Sequence, residues 1–150
     1  MSFFQDKIVA PLRAQLRQGT TPEKLALSVA LGIVLGCFPV IGTTTALCLG
    51  AGFALKLNQP ALQIVNYLVY PLQFALLIPF FRLGESLFRA EPIPLYAPDI
   101  ARLFRAEPAA AFSAYGLTVF RGVFVWFLAA PAATWVLYKL ALPRLRGLKA

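Results

Sequence analysis

The chain has 150 residues, enough for one compact domain, and 59% of them are hydrophobic, against roughly 45–50% in ordinary soluble proteins. It carries 14 Lys and Arg against 6 Asp and Glu, a formal net charge of +8, and it has no histidine. This balance predicts one integral membrane domain over residues 1–150, with anionic lipid headgroups as partners for its basic flanks. It argues against nucleic acid, because no basic stripe with stacking aromatics accompanies the charge.

The N-terminal segment, residues 2–18, places apolar side chains four positions apart, as an amphipathic helix does. We expect it to lie in the plane of the lipid headgroups. Pro11 either marks the true start of the helix or bends it. A short helix that packs against the protein is the alternative.

Residues 25–81 contain a single charged residue, Lys56, yet the run is interrupted repeatedly. The residues that break or strain a helix within it are Pro39, Gly42, Pro60, Asn66, Pro71 and Pro79. In a bilayer such breaks are tolerated where protein packing or a water-lined cavity protects the opened backbone. The pattern therefore predicts re-entrant hairpins or transport-type sites.

Residues 22–56 are predicted to form the first hairpin. Thr20 or Thr21 can cap its first helix, and Pro22 suits the first turn. The uncharged helix that follows, 25–38, is about 21 Å long, whereas the hydrocarbon core of a bilayer is about 30 Å thick. This helix alone is therefore too short to cross a bilayer.

The predicted turn of this hairpin contains Pro39 and Gly42, since proline blocks helix continuation and glycine permits positive φ. Lys24 and Lys56 mark the outer ends of the two arms, so the chain is expected to return to its starting side. One kinked span over 25–45, followed by a separate segment, is the alternative.

Small residues recur at every fourth position in both arms of this hairpin. They are Ser28, Gly32 and Gly36 in the first arm and Ala46, Gly50 and Ala54 in the second. Such stripes let helix backbones approach closely in lipid. We therefore expect the two arms to pack on each other through these stripes.

A second broken-helix hairpin is predicted over 58–88, with its turn at Pro71. The interfacial segment 89–112 follows, and the pentapeptide Phe-Arg-Ala-Glu-Pro occurs at 88–92 and again at 104–108. Each copy is predicted to end a short helix at the membrane surface.

A C-terminal transmembrane helix is predicted over 113–142. The predicted fold class is thus an all-α membrane protein with two broken-helix, re-entrant-like hairpins, flanking interfacial amphipathic helices and one C-terminal transmembrane helix. Orientation is undetermined, because every charged loop is basic. If both hairpins re-enter, the termini lie on opposite sides.

The apolar region lacks the residues that catalysis requires. It contains no acidic residue and the first one after it is Glu85, serine has no histidine partner, and phosphate-loop and dinucleotide motifs are missing. Cys37 and Cys48 are interpreted as small buried hydrophobes, and the ligands for zinc are too few. We expect no enzyme activity, no catalytic residue, no metal and no cofactor.

The candidate ligand site is built on the polar residues of the apolar region. Those assigned to it are Thr43, Thr44, Thr45, Asn66, Arg82 and Arg121. The threonines open a half-helix whose free N–H groups can face an anionic group such as a lipid phosphate, Asn66 is the counterpart in the second unit, and either arginine supplies a counter-charge. The alternative is that these polar groups only join the two hairpins by hydrogen bonds.

Several sequence landmarks occur in a fixed order. They are Thr-Pro-Glu-Lys-Leu-Ala-Leu-Ser-Val-Ala-Leu-Gly at 21–32, Phe-Pro at 38–39, Gly42, Lys-Leu-Asn-Gln-Pro at 56–60 and the region 66–71. With these the chain resembles the bacterial DUF2062 family of small membrane proteins, over roughly 19–88. It departs from the family pattern, which favours an Asn-Pro dipeptide, since Asn66 and Pro71 are separated here.

The resemblance implies a bacterial cytoplasmic (inner) membrane location and a broken-helix architecture, and it supplies no reaction. Related-looking domains joined to sugar- or lipid-modifying enzymes imply envelope lipid handling. We expect a multi-pass protein that binds or moves an anionic lipid or small solute between broken helices. It can also form a homo-oligomer. The alternative is a non-transporting scaffold, or an accessory subunit of an envelope-lipid or polysaccharide enzyme.

Overall fold

The structure is a computed structural model that describes residues 2–17 and 19–149. Every regular element in these two ranges is helical, and no strand occurs within them, which confirms the predicted all-α class. The elements are α1 (Ser2–Phe4), a π-helical turn (Gln5–Val9), α2 (Ala10–Arg17), α3 (Pro22–Gly36), α4 (Thr44–Ala54), α5 (Gln59–Leu68), α6 (Tyr70–Leu87), α7 (Ala97–Ala106) and α8 (Pro108–Lys149).

The N-terminal segment is helical on both sides of Pro11. The N–H of Ala10 donates to the carbonyl of Gln5, five residues earlier, because proline offers no N–H and its ring crowds the carbonyl of Lys7. Proline therefore widens the helix locally and does not start it. Leu12 packs against the core, which favours the protein-packed alternative for this part of the segment. The predicted end of the segment, Gln18, lies outside the described residues.

The first hairpin forms where the sequence predicts its ends and its turn. The Oγ1 of Thr21 accepts a hydrogen bond from the N–H of Lys24 at 3.2 Å, which caps α3. The turn between α3 and α4 contains Pro39 and Gly42, the latter with φ of +89°. After α4 the chain returns to its start, where the N–H of Asn58 donates to the Oγ of Ser28 at 3.0 Å.

The predicted contact between the two small-residue stripes was wrong. Gly32 and Gly36 face α5, and a Cβ added at Gly36 would lie 2.4 Å from a methyl carbon of Val69. Ala46, Gly50 and Ala54 are exposed. The buried face of α4 carries instead Thr44, Cys48 and Gly52. Both faces of α4 hold small residues, so their spacing alone could not identify the packed one.

The second unit breaks at Val69, two residues before Pro71. Proline cannot donate to the carbonyl of Tyr67, and its ring crowds that carbonyl, so the helix opens in the preceding turn and Pro71 sits in the first turn of α6. The bend between α5 and α6 is 63°. The two helices thus change direction and do not run back along each other. Pro79 lies inside α6 without ending it.

Both copies of the repeated pentapeptide end a helix, as predicted. α6 ends just before Phe88, and α7 ends at Ala106. The predicted interfacial segment 89–112 is shorter than expected, because α8 already begins at Pro108, a residue type favoured in the first helical turn. α8 has 42 residues and is roughly 63 Å long, far more than the predicted 113–142.

α8 is long and apolar enough to span a membrane by length and composition, and α5 with α6 passes the same test as a bent pair. No residue in the most apolar 18-residue window of α8 is buried within the protein. α4 is a shorter apolar helix. These surfaces are apolar and outward-facing, whereas the core helix of a soluble protein would be mostly buried.

α3 lies at the centre, packed against α4, α5 and α8, and α6 packs against α8. One cluster of the buried core consists of Leu25, Ala26, Ala61 and Leu145. Leu12 of α2 and Leu148 of α8 pack against the same cluster. Parts of α2 and α8 near the two ends of the described chain therefore meet in one cluster. This contact argues against the expectation of termini on opposite sides of a membrane, which assumed two re-entrant hairpins.

Candidate functional site

The end of α3 is capped by side chains from distant helices. The last carbonyls of any helix lack partners within it and need donors from elsewhere. The Nε1–H of Trp126 in α8 donates to the carbonyl of Val34 at 2.9 Å, and the Nε2 of Gln73 in α6 donates to the carbonyl of Phe38 at 2.8 Å. The rings of Phe38 and Trp126 also meet edge to face, with centroids 4.8 Å apart. The carbonyls of Val34 and Phe38 thus receive donors from other helices of the protein.

The start of α4 is tied to α5 in a similar way. Thr43 donates through Oγ1 to the carbonyl of Val40 at 2.8 Å. Gln63 donates to the carbonyl of Thr45 at 3.4 Å, and the Nδ2 of Asn66 donates to the Oγ1 of Thr45 at 3.4 Å. These contacts match the structural alternative for the polar residues, in which they join the two units.

Thr44 and Asn66 are almost completely buried at this junction, at 1% and 0% exposure. The Oδ1 of Asn66 has no hydrogen-bond partner among the described residues. It faces Gly36, since a Cβ built there would lie 3.2 Å from it. The structure therefore brings Thr45 and Asn66 together, with Asn66 closely enclosed by protein.

Arg82 lies apart from this junction. It is nine positions beyond Gln73 on α6, roughly 13 Å along the helix. Its guanidinium pairs with Glu85 at 2.8 Å and also donates to the carbonyl of Ile93 at 3.1 Å. The charge of Arg82 is thus paired with Glu85 and lies away from the threonines.

Arg121 lies where α6 crosses α8. A Cβ added at Gly84 would be only 2.6 Å from the carbonyl carbon of Arg121, so the two helix backbones are in close contact there. The six predicted site residues therefore fall into two groups, the junction around Thr45 and Asn66, and the crossing with Arg82 and Arg121.

Glu85 is a buried carboxylate four positions beyond the apolar region 25–81. It is 1% exposed, and its Oε1 accepts the N–H of Ile93 at 3.3 Å. Glu85 and Arg82 together bond to the N–H and the carbonyl of Ile93. These bonds hold the segment between α6 and α7, which we call the strap, against α6. The signal for this pair was the spacing of three residues between Arg82 and Glu85, which places both on one helix face.

A long open groove runs between α3 and α8, with a volume of about 710 Å³. This lies in the range of roughly 300–1,000 Å³ that small-molecule sites occupy. Its walls are apolar over most of their length. The lining residues are Glu23, Lys24, Leu27, Leu31, Val34, Leu35, Leu55, Leu57, Trp126, Phe127, Ala130, Pro131, Thr134, Trp135 and Tyr138.

One end of the groove is polar and basic. We call Lys24, Lys56, Lys139 and Arg146 the basic rim. Lys24 lines the groove, Lys56 lies between two lining leucines, and Lys139 follows the lining Tyr138, with its ammonium 5.9 Å from the ring centroid of Trp135. Arg146 pairs with the lining residue Glu23 at 3.0 Å. Trp126 and Phe127 line the groove toward its opposite end.

Sequence reasoning missed this groove. Both tryptophans of the chain line it, yet the sequence placed them only within a conventional transmembrane helix. Their spacing of nine residues puts them about 180° apart around an ideal α-helix, on opposite faces, and therefore gave no sign of a shared groove. The other wall of the groove is formed by α3, and only tertiary packing brings α3 beside α8.

Together, the fold and these sites define an all-helical protein with one helix able to span a membrane, a broken-helix pair and an apolar groove with a basic rim. The chain belongs to the DUF2062 family, described as an uncharacterized protein conserved in bacteria, which matches residues 7–150. The match extends well beyond the 19–88 of the predicted resemblance. Neither the curated proteins nor the solved structures include a match to the chain.

Proposed function

We propose that this protein is an integral membrane protein that binds an anionic lipid, with one acyl chain in the groove between α3 and α8 and the headgroup at the basic rim. The observation that carries the proposal is the groove itself, which is apolar along its walls and charged at one end. A phospholipid is built in the same way, with an apolar acyl chain and a charged headgroup at one end.

Membrane insertion is supported by two independent features. Large apolar side chains face outward on several helices, among them Phe53 at 73%, Phe127 at 66% and Trp135 at 63% exposure. The broken backbone at the end of α3 receives its hydrogen bonds from side chains of α6 and α8. Where water is absent, opened backbone has to be satisfied in this way.

The dimensions of the groove fit one leaflet. Its α3 wall runs from Glu23 to Leu35, twelve positions, or about 18 Å of helix. This is slightly more than half of a hydrocarbon core that is about 30 Å thick. A lipid whose phosphate lies near Lys24 therefore places an acyl chain alongside Leu31 and Ala130, down to the level of Trp126.

The basic rim accounts for selectivity toward anionic headgroups. Each Lys or Arg near the surface of an anionic leaflet contributes about 1 kcal/mol of attraction. Glu23 is paired with Arg146, which reduces the negative charge that a phosphate would otherwise meet at this end. A zwitterionic headgroup gains less from the same residues.

The proposal is tested with the two native tryptophans, because both line the groove. The protein is reconstituted in vesicles that contain either brominated phosphatidylglycerol or brominated phosphatidylcholine, and the quenching of fluorescence is measured. We expect phosphatidylglycerol to be preferred by about tenfold, equivalent to about 1.4 kcal/mol. Equal quenching by both lipids would contradict the proposal.

A matched pair of variants locates the binding. Ala130→Phe fills the groove, whereas Ala129→Phe adds the same ring on an exposed part of α8 outside it. Only the first is expected to abolish the preference for phosphatidylglycerol, with unfolding monitored in both. If Ala130→Phe instead breaks up a homodimer and leaves lipid selectivity unchanged, the groove is an interface between copies. If neither variant matters, it holds no lipid.

A further inference from the structure

Four chain segments meet at the end of the molecule that carries the basic rim. The Nδ2 of Asn58, just before α5, donates to the Oγ1 of Thr20, just before α3, at 3.0 Å. Arg146, near the end of α8, pairs with Glu23 at the start of α3. Leu12 of α2 packs on the same core cluster. We call this the rim end.

The segment 88–107, which joins α6 to α8, lies beyond the far end of α6 and is called the strap end. Its three basic residues, Arg89, Arg102 and Arg105, are balanced by three acids, Glu91, Asp99 and Glu107. Asp99 and Arg102 form an ion pair. The rim end, by contrast, collects Lys24, Lys56, Lys139, Arg144 and Arg146 against Glu23. Lys and Arg are thus concentrated at one end.

The bent pair of α5 and α6 is long enough to connect the two ends. α5 has 10 residues and is roughly 15 Å long, and α6 has 18 residues and is roughly 27 Å long. A 63° bend leaves roughly 12 Å of α6 along the direction of α5, giving roughly 27 Å in total. This nearly matches a hydrocarbon core of about 30 Å.

The path of the whole chain then agrees with a bent span that joins the rim end to the strap end. The hairpin of α3 and α4 leaves the rim end and comes back to it, as the bond from Asn58 to Ser28 requires. α5 and α6 together carry the chain to the strap end. α8 returns it, so that Arg146 again lies beside Glu23.

We infer that α5 and α6 form one bent membrane span, that the rim end faces the cytoplasm, and that the groove takes its lipid from the cytoplasmic leaflet. Lys and Arg are enriched in the cytoplasmic flanks of membrane proteins, and the cytoplasmic leaflet carries anionic lipids at its surface. The orientation stands on the charges and the chain path alone, while the choice of leaflet also rests on the proposed function.

The experiment is cysteine labelling in bacterial cells that express the full chain with Cys37→Ala and Cys48→Ala. Glu91→Cys reports on the strap end and Arg144→Cys on the rim end, since both positions are exposed. A membrane-impermeant maleimide is applied to spheroplasts and to inverted vesicles. We expect Glu91→Cys to be labelled only in spheroplasts and Arg144→Cys only in inverted vesicles.

Labelling of Arg144→Cys in spheroplasts would overturn the orientation, and labelling of both positions from one side would overturn the bent span. Loss of lipid selectivity in quenching experiments is a separate result. If labelling is as expected but phosphatidylglycerol is not preferred, the proposed function fails and the orientation stands.

Discussion

Trp126 donates its indole N–H to the carbonyl of Val34 at 2.9 Å, a contact between residues 92 positions apart. Val34 lies in the last turn of α3, where the neighbouring carbonyls of Ile33 and Leu35 are reached by the N–H groups of Cys37 and Phe38. The carbonyl of Val34 takes its hydrogen bond from α8 instead. The long helix α8 thereby stabilises the end of α3, where the chain enters the turn of the first hairpin.

Replacing Trp126 by Phe tests this contact directly. The aromatic packing on Phe38 is largely kept, but the carbonyl of Val34 loses its donor. Leaving a buried acceptor unsatisfied costs about 1–3 kcal/mol, so the free energy of unfolding is expected to fall by that amount. The measurement is reversible unfolding in detergent micelles, followed by circular dichroism.

Trp135→Phe is the matched control, because Trp135 is 63% exposed and its indole N–H makes no hydrogen bond to the described residues. Its unfolding free energy should change by less than about 0.5 kcal/mol, as is usual for surface substitutions. Equal losses in the two variants would show that the bond to Val34 contributes nothing specific.

Gly84→Ala tests the crossing of α6 and α8. The added Cβ would lie 2.6 Å from the backbone of Arg121, so the helices have to move apart. Overpacking of this kind costs about 1–3 kcal/mol. Gly116→Ala is the control, since no atom lies within 4 Å of the added Cβ there, and helical Gly→Ala is neutral or stabilising by about 0.5–1 kcal/mol. A Gly84→Ala protein as stable as the wild type would rule out the close crossing.

Arg82→Gln tests the strap that Glu85 holds. The substitution leaves a carboxylate that is 1% exposed without its ion pair. Because the Arg82 side chain is itself 39% exposed and screened by solvent, we expect a loss of about 1–2 kcal/mol, below the 3–5 kcal/mol of a fully buried pair. Hydrogen exchange should accelerate at the amide of Ile93, which bonds to Glu85.

The double variant Arg82→Leu with Glu85→Leu removes both charges and should be less destabilised than the sum of the two single leucine variants, since neither charge is left unpaired. Unchanged exchange at Ile93 in Arg82→Gln would mean that the ion pair does not hold the strap.

Lys24→Glu tests the basic rim. The reversed charge at the polar end of the groove should reduce the preference for phosphatidylglycerol over phosphatidylcholine, measured by tryptophan quenching, by about tenfold. Raising the salt concentration should weaken the wild-type preference in the same direction. Arg105→Glu changes the charge of the chain equally but lies on α7, away from the groove. A similar loss in both variants would assign the effect to net charge.

The local signals in the sequence located the first hairpin well. Thr21 and Pro22 do begin α3, and Pro39 and Gly42 do lie in the turn, because capping and φ restrictions act over a few neighbouring residues. The second unit was predicted less well. Its break lies at Val69, since proline disrupts the turn before it, and the size of the bend depends on how α6 packs on α8.

The candidate site depended on tertiary packing that no local pattern specifies. Thr45 and Asn66 meet, but they are hydrogen-bonded to each other in a closed junction. The ion pair of Arg82 with Glu85 follows from a local spacing of three residues, whereas the bond from Arg82 to the carbonyl of Ile93 needs a segment beyond α6. The groove needs α8 beside α3, a contact between distant parts of the chain.

The central claim is that the tip of the first hairpin lies within the hydrocarbon of a bilayer, with its backbone satisfied by side chains. Ile41 is at this tip and is 55% exposed. A spin label at Ile41→Cys, in the Cys37→Ala and Cys48→Ala background and in phospholipid vesicles, reports its surroundings by collision with oxygen and with a water-soluble nickel complex. The account predicts high oxygen and low nickel accessibility, whereas a label at Arg105→Cys shows the reverse. Nickel accessibility at Ile41 equal to that at Arg105 would contradict it.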